Sequence, residues 1–180
     1  ALAAIASCQA LGVDLGTIVE ALGTMTAVPG RLEEVRTDRG FQVFVDYAHT
    51  DDALRNVLQT LREITRGRLI TVFGCGGNRD RTKRPAMGGV VSRLSDYAII
   101  TSDNPRQEDP SAIIREIRAG FGGATNFEIV EERASAIQRA VEKAQTGDVV
   151  LIAGKGHENF QEFANTSVPF DDRQVVKRCL

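Results

Sequence analysis

Short apolar runs alternating with helical patterns constrain the fold of this chain more than any other feature. Phe41 to Val45, Leu69 to Phe73, Tyr97 to Thr101, Phe127 to Val130 and Asp148 to Ile152 are rich in Val, Ile and Phe and read as buried strands. Helical spacing fills the gaps: Leu54, Val57, Leu58, Leu61 and Ile64 behind an acidic cap at Asp51-Asp52, then Met87 to Leu94, then Ile113, Ile114 and Ile117 behind Pro110-Ser111, then Ala134, Ile137, Ala140, Val141 and Ala144. Strand after helix after strand needs crossover connections, so the sheet is mostly parallel and carries helices on both faces. The predicted class is α/β, Rossmann-like, with an antiparallel edge strand over Arg31 to Arg36 that turns back at Asp38 to Gly40.

Ahead of this pattern, Leu2, Ile5 and Ala6, and then Leu15, Ile18, Val19 and Leu22, predict two helices stopped by Gly12 and Gly23. The aperiodic segment Thr24 to Gly30 holds Pro29 and Gly30 and predicts a domain boundary, with residues 1–28 a remnant of one domain and 29–180 a second. The first residue is not Met and Ala1 to Ala10 reads as the middle of an apolar helix, so a fragment is expected.

Composition narrows the partners. A net charge of −2, with both signs scattered, offers no general surface for nucleic acid or an anionic membrane. Cys8, Cys75 and Cys179 form no CxxC pair and are odd in number, which argues for a reducing cytoplasm over a disulfide framework or structural zinc site. No apolar run approaches the roughly 20 residues of a membrane helix. A soluble monomer acting on a small molecule is expected.

Ligands of a parallel α/β sheet bind beyond the carboxyl ends of its strands. Here those ends carry Asp46-Tyr47-Ala48-His49, Gly74-Cys75-Gly76-Gly77-Asn78-Arg79-Asp80, Ser102-Asp103-Asn104-Pro105-Arg106 and Gly154-Lys155-Gly156-His157-Glu158. One sheet edge therefore collects both histidines with several carboxylates and cations. The glycines after Phe73 suit either a phosphate-cradling turn or a tight strand-to-helix turn, and Arg79, Arg81, Lys83 and Arg84 behind them favour an anionic ligand. They do not spell a dinucleotide fingerprint, because the third glycine would fall at Arg79. Gly154-Lys155-Gly156 is not a P-loop: no glycine stands five positions before Gly154 and neither Ser nor Thr follows Lys155. His49 and His157 show no metal-ligand spacing such as HExxH, so no metal site is expected in this chain, and Asp46 with His49 lacks a neighbouring nucleophile.

Val28-Pro29-Gly30-Arg31-Leu32-Glu33, Asp46-Tyr47-Ala48-His49, Phe73 to Asp80, Lys83-Arg84-Pro85, Asp103-Asn104-Pro105-Arg106 and Gly154 to Glu158 together resemble, in order and spacing, the Mur ligases of peptidoglycan synthesis. Members that add the third residue of the stem peptide are the most similar, and the Asp-Asn-Pro-Arg block looks like the version that selects meso-diaminopimelate. The resemblance implies ATP-dependent amide ligation of meso-diaminopimelate to UDP-N-acetylmuramoyl-L-alanyl-D-glutamate through an acyl phosphate. It places the P-loop and the magnesium site in a central domain upstream, so that the fragment alone is inactive. By the family pattern Arg31 reaches the ATP phosphates, Asp46 the ribose, and His49 helps hold the nucleotide. Arg79, Asp103, Asn104, Pro105, Arg106, Gly154 and Glu158 line the diaminopimelate pocket. Two other classes fit parts of the chain: a stand-alone amino-acid- or nucleotide-binding module, and a nicotinamide oxidoreductase built on the Gly74 turn.

Overall fold

The computed structural model describes residues 2–25 and 28–180. Two helices come first, α1 (Leu2–Ala10) and α2 (Leu15–Thr24), followed by the edge strand β1 (Glu33–Glu34) and β2 (Gln42–Asp46). Then helix and strand alternate as α3 (Asp51–Ile64), β3 (Leu69–Phe73), α4 (Lys83–Leu94), β4 (Tyr97–Ile100), α5 (Pro110–Ala119), β5 (Phe127–Ile129), α6 (Arg133–Lys143) and β6 (Val149–Ala153). A hairpin of β7 (Phe160–Phe163) and β8 (Thr166–Pro169) and a last helix α7 (Asp172–Cys179) complete the chain.

The six-stranded sheet runs β1-β2-β6-β3-β4-β5, parallel throughout except for β1, which pairs antiparallel with β2. The central strands are apolar at nearly every position because both faces are covered, yet successive side chains still part to opposite sides. Phe44, Leu69, Phe73, Val149 and Leu151 pack with Leu54, Leu58, Met87 and Ile117 on one face. Val43, Val45, Ile70, Val72, Val150 and Ile152 pack with Ile137, Val141 and Val176 on the other.

Local chemistry explains the helix limits. The α3 cap is Thr50, which accepts from the Ala53 amide at 3.2 Å, while Asp51 and Asp52, expected as the cap, lie in the first turn against the positive end of the dipole. Leu54, Val57, Leu58 and Leu61 form its buried stripe, each side chain stabilising the fold by roughly 1.5–3 kcal/mol. Asp109 caps α5, with Pro110 in the first turn where a missing N–H costs nothing. One expected stop and one expected start moved: Gly23 lies inside α2, which is capped at Met25, and α4 starts at Lys83, four positions before the expected Met87.

The boundary segment expected at 24–30 includes residues 26 and 27, which lie outside the described residues. On its N-terminal side α1 buries no side chain and α2 only Ile18, leaving Leu2, Leu11, Leu15 and Val19 exposed.

Candidate functional site

The carboxyl ends of β2, β3, β4 and β6 open on a polar cleft of about 220 Å³ lined by Tyr47, His49, Gly76, Arg79, Lys83, Asp103, Asn104, Arg106, Gly154 and Glu158. Seven of the expected site residues meet here: His49, Arg79, Asp103, Asn104, Arg106, Gly154 and Glu158. Pro105 is buried beside the cleft, and its carbonyl packs so closely on Gly77 that a Cβ there would lie 1.8 Å away. The Gly77 amide donates to the Asn104 carbonyl at 2.8 Å, so the glycines let two loops touch and do not present that N–H to an anion.

The cleft has a negative floor and a positive rim. At the floor, the fully buried Lys155 ammonium donates to Asn104 Oδ1 at 2.8 Å and lies 3.4 Å from both Asp103 Oδ1 and Glu158 Oε2. Asn104 also donates to Glu158 Oε2 at 3.0 Å, so its amide is oriented from both ends. At the rim, the exposed Arg79 guanidinium donates only to its neighbour Asn78's carbonyl, and Lys83 Nζ donates to the His49 carbonyl at 3.2 Å. Arg106 Nε pairs with Glu162 Oε2 at 2.9 Å and its Nη1 donates to the Gly77 carbonyl at 3.0 Å.

The β7/β8 hairpin, which sequence patterning missed, holds the loop that carries three of these residues. Gln161 Nε2 donates to the Asp103 carbonyl at 2.7 Å, the Glu162 amide to Asn104 Oδ1 at 3.0 Å, and the Arg106 amide to the Glu162 carbonyl at 3.1 Å. Arg106 itself takes a left-handed φ of 53°, a strained conformation for a residue with a Cβ, and these bonds hold it there.

Two of the cations expected to serve an anionic ligand do structural work. Arg84 is fully buried, forks onto Glu108 with two bonds of 2.9 Å and reaches Glu116 at 2.8 Å. Arg81 pairs with Glu116. Only Arg79 and Lys83 of that group reach the cleft. Arg84 draws Glu108 well below its ordinary 4.5, to about 2, while Glu108 also accepts from the Asn78 amide at 2.5 Å, so the pair pins the Gly76 to Asn78 turn.

The expected nucleotide residues divide. His49 lines the cleft, its ring centroid 4.7 Å from that of Tyr47, and Arg31 lies over the Tyr47 ring with its guanidinium carbon 4.9 Å from the centroid. Asp46 is not in the lining: its oxygens accept from the Leu32 amide at 2.7 Å and the Ala48 amide at 2.8 Å, tying the edge segment to the end of β2. Tyr47 and Lys83 in the lining, and Lys155 beneath it, are additions that the structure makes to the expected site. Their signal was position alone, since each follows a strand end or opens the next helix.

Residues 30–156 match the family model described as Mur ligase, glutamate ligase domain. The chain belongs to the Mur ligase family. Among curated relatives of this Mur ligase chain, the UDP-N-acetylmuramoyl-L-alanyl-D-glutamate--2,6-diaminopimelate ligase of Clostridium botulinum is 52% identical over 182 residues, taking in 100% of this chain and 38% of that protein. The ligase of the same name from Syntrophomonas wolfei is 50% identical, over 100% of this chain and 37% of its own. A solved structure of a ligase of that name superposes with a TM-score of 0.79 at 42% identity, covering 99% of this chain and 37% of the other. The chain thus spans little more than a third of the length of these relatives.

Proposed function

We propose that this chain is the amino-acid-binding portion of an ATP-dependent ligase that adds meso-diaminopimelate to UDP-N-acetylmuramoyl-L-alanyl-D-glutamate in the cytoplasm. The observation that carries the proposal is the polarity of the cleft: carboxylates at the floor, guanidinium and ammonium groups at the rim. An amino-acid head presents an ammonium and a carboxylate side by side, and diaminopimelate has such a head at each end. Asp103 and Glu158 suit the ammonium, Asn104 both donates and accepts, and Arg106 with Arg79 suits the carboxylate. Lysine lacks the distal carboxylate and gives the rim nothing to hold. The 52% and 50% identical relatives bearing this activity in their names support the same reading.

In the whole ligase, ATP activates the glutamyl carboxylate as an acyl phosphate, and the amine of the bound amino acid attacks it with loss of phosphate. The part of this chain is to bind and orient that amine, an entropic contribution that does not require phosphate-binding residues of its own. Residues 1–28 are assigned to the end of the central domain and 29–180 to the amino-acid-binding domain. Arg31 and His49, which meet at Tyr47, are assigned to the nucleotide on the β2 side, with Asp46 fixing the backbone that carries them. Magnesium and the phosphates fall mainly to the central domain, since no GxxxxGK[ST] occurs in this sequence and no cluster of three metal-ligating side chains occurs among the described residues.

The test is ADP release by the ligase at the full length of its relatives, with the UDP-dipeptide present. Release that depends on meso-diaminopimelate and not on lysine is expected. Equal release with either amino acid, or with neither, overturns the proposal.

A further inference from the structure

Lys155 is a fully buried ammonium that does not line the cleft, and burying such a charge costs several kcal/mol unless it is paired and hydrogen-bonded. Its surroundings meet that demand. Asn104, Asp103 and Glu158 take its donors at 2.8, 3.4 and 3.4 Å, and the Phe160 ring closes another side with its centroid 5.7 Å away. Three residues that line the cleft, from two different strand ends, thus converge on one atom that the cleft never sees. Behind Lys155, the fully buried Arg133 forks onto Asp172 and donates to the carbonyl of Ala153, the last residue of β6.

We propose that Lys155 is a positioning residue: it holds Asp103, Asn104 and Glu158 together so that the cleft floor presents one unneutralised negative charge to a single substrate ammonium. This inference rests on the amino-acid-binding reading of the cleft. The charges support it. Lys155 and Arg133 face Asp103, Glu158 and Asp172, two cations against three carboxylates, and one ammonium completes the balance. Lys155 sits between the two carboxylates of the floor and offsets their mutual repulsion, while Asn104 and Gln161 hold Glu158 and the Asp103 backbone by hydrogen bonds. Glu158 and Asp103 both line the cleft, and Gly154, at φ 116°, leaves the space beside Asp103 Oδ2 free of a side chain.

The experiment uses the ligase at the full length of its relatives, with KM measured separately for meso-diaminopimelate, ATP and the UDP-dipeptide. Lys155→Met is expected to raise the KM for diaminopimelate by about 30-fold or more, and to leave the other two within about twofold. A role confined to holding the fold would move all three together. Because Lys155→Met leaves the buried Asp103 carboxylate without its cation and is the variant most exposed to misfolding, Glu158→Gln and the Lys155→Met/Glu158→Gln pair are compared as well. The pair removes one charge of each sign and keeps the net charge of the network. If Lys155 acts through Glu158 and Asp103, the pair binds diaminopimelate within about threefold of Glu158→Gln alone, a non-additive cycle. Additive losses, or KM values that rise together, overturn the role given to Lys155. Absence of diaminopimelate-dependent turnover in the unsubstituted ligase instead overturns the functional reading beneath it.

Discussion

Replacing Arg106 with alanine in the full-length ligase tests the choice between diaminopimelate and lysine. The guanidinium already spends Nε on Glu162 at 2.9 Å and one Nη1 hydrogen on the Gly77 carbonyl at 3.0 Å, so an incoming carboxylate meets Nη2 and the outer edge. A charge-assisted hydrogen bond contributes about 1.5–3 kcal/mol. The Arg106 side chain is 25% exposed and Glu162 39%, so water and a competing carboxylate weaken the contact, and the glutamate left behind can be solvated. A loss of about 2 kcal/mol results, roughly 30-fold in kcat/KM for meso-diaminopimelate. Lysine makes no such contact, and its kcat/KM stays within about threefold. The assay is ADP release at saturating ATP and UDP-dipeptide with each amino acid varied, alongside thermal melting to check the fold. A diaminopimelate-to-lysine preference unchanged within error refutes the role assigned to Arg106.

The 180-residue chain by itself is expected to release no ADP from radiolabelled ATP above a heat-killed control, because it contains no P-loop. Glu108 is held at about 2 against an ordinary 4.5, chiefly by its bonds to Arg84, so the stability it contributes is present above about 4.5 and drains away as the pH falls toward about 2. Arg84→Met removes that component, and the drop in melting temperature between about pH 6 and about pH 3 should be smaller in the variant than in the parent chain. Burial pushes the Cys75 thiol up to about 12 and also raises Cys179, so iodoacetamide on the native chain should alkylate Cys8 first, Cys179 more slowly and Cys75 not at all, as read by peptide mass spectrometry.

The central strands were legible because a strand covered on both faces leaves a continuous apolar run, and each expected run coincides with a strand to within a residue at either end. The hairpin and α7 left no such trace. Of β7 only Gln161 is buried, all four residues of β8 are exposed, and α7 buries just Asp172, Val175 and Val176. The site was legible as a set of strand ends, since topology alone brings those together. Which side chains serve the ligand and which serve the scaffold was not. Arg84 has the same local sequence signature as Lys83, and only its partners Glu108 and Glu116, distant along the chain, turn it inward. Lys155 failed the pattern for phosphate binding, and no sequence signal showed that its ammonium sits beneath the loop at Asp103.

Strand β6 lies between β2 and β3 and pairs with both, so the middle of the sheet is the last of its six strands to leave the ribosome. Until Val149 to Ala153 are synthesised, the segment at Gln42 has no parallel neighbour and the β3-β4-β5 half has an open edge. The pairing of Gln42 with Val149 spans most of the domain, a contact whose loop-closure cost precedes its reward. The native sheet therefore cannot close until its last strand has emerged, and β6 satisfies the facing edges of β2 and β3 together.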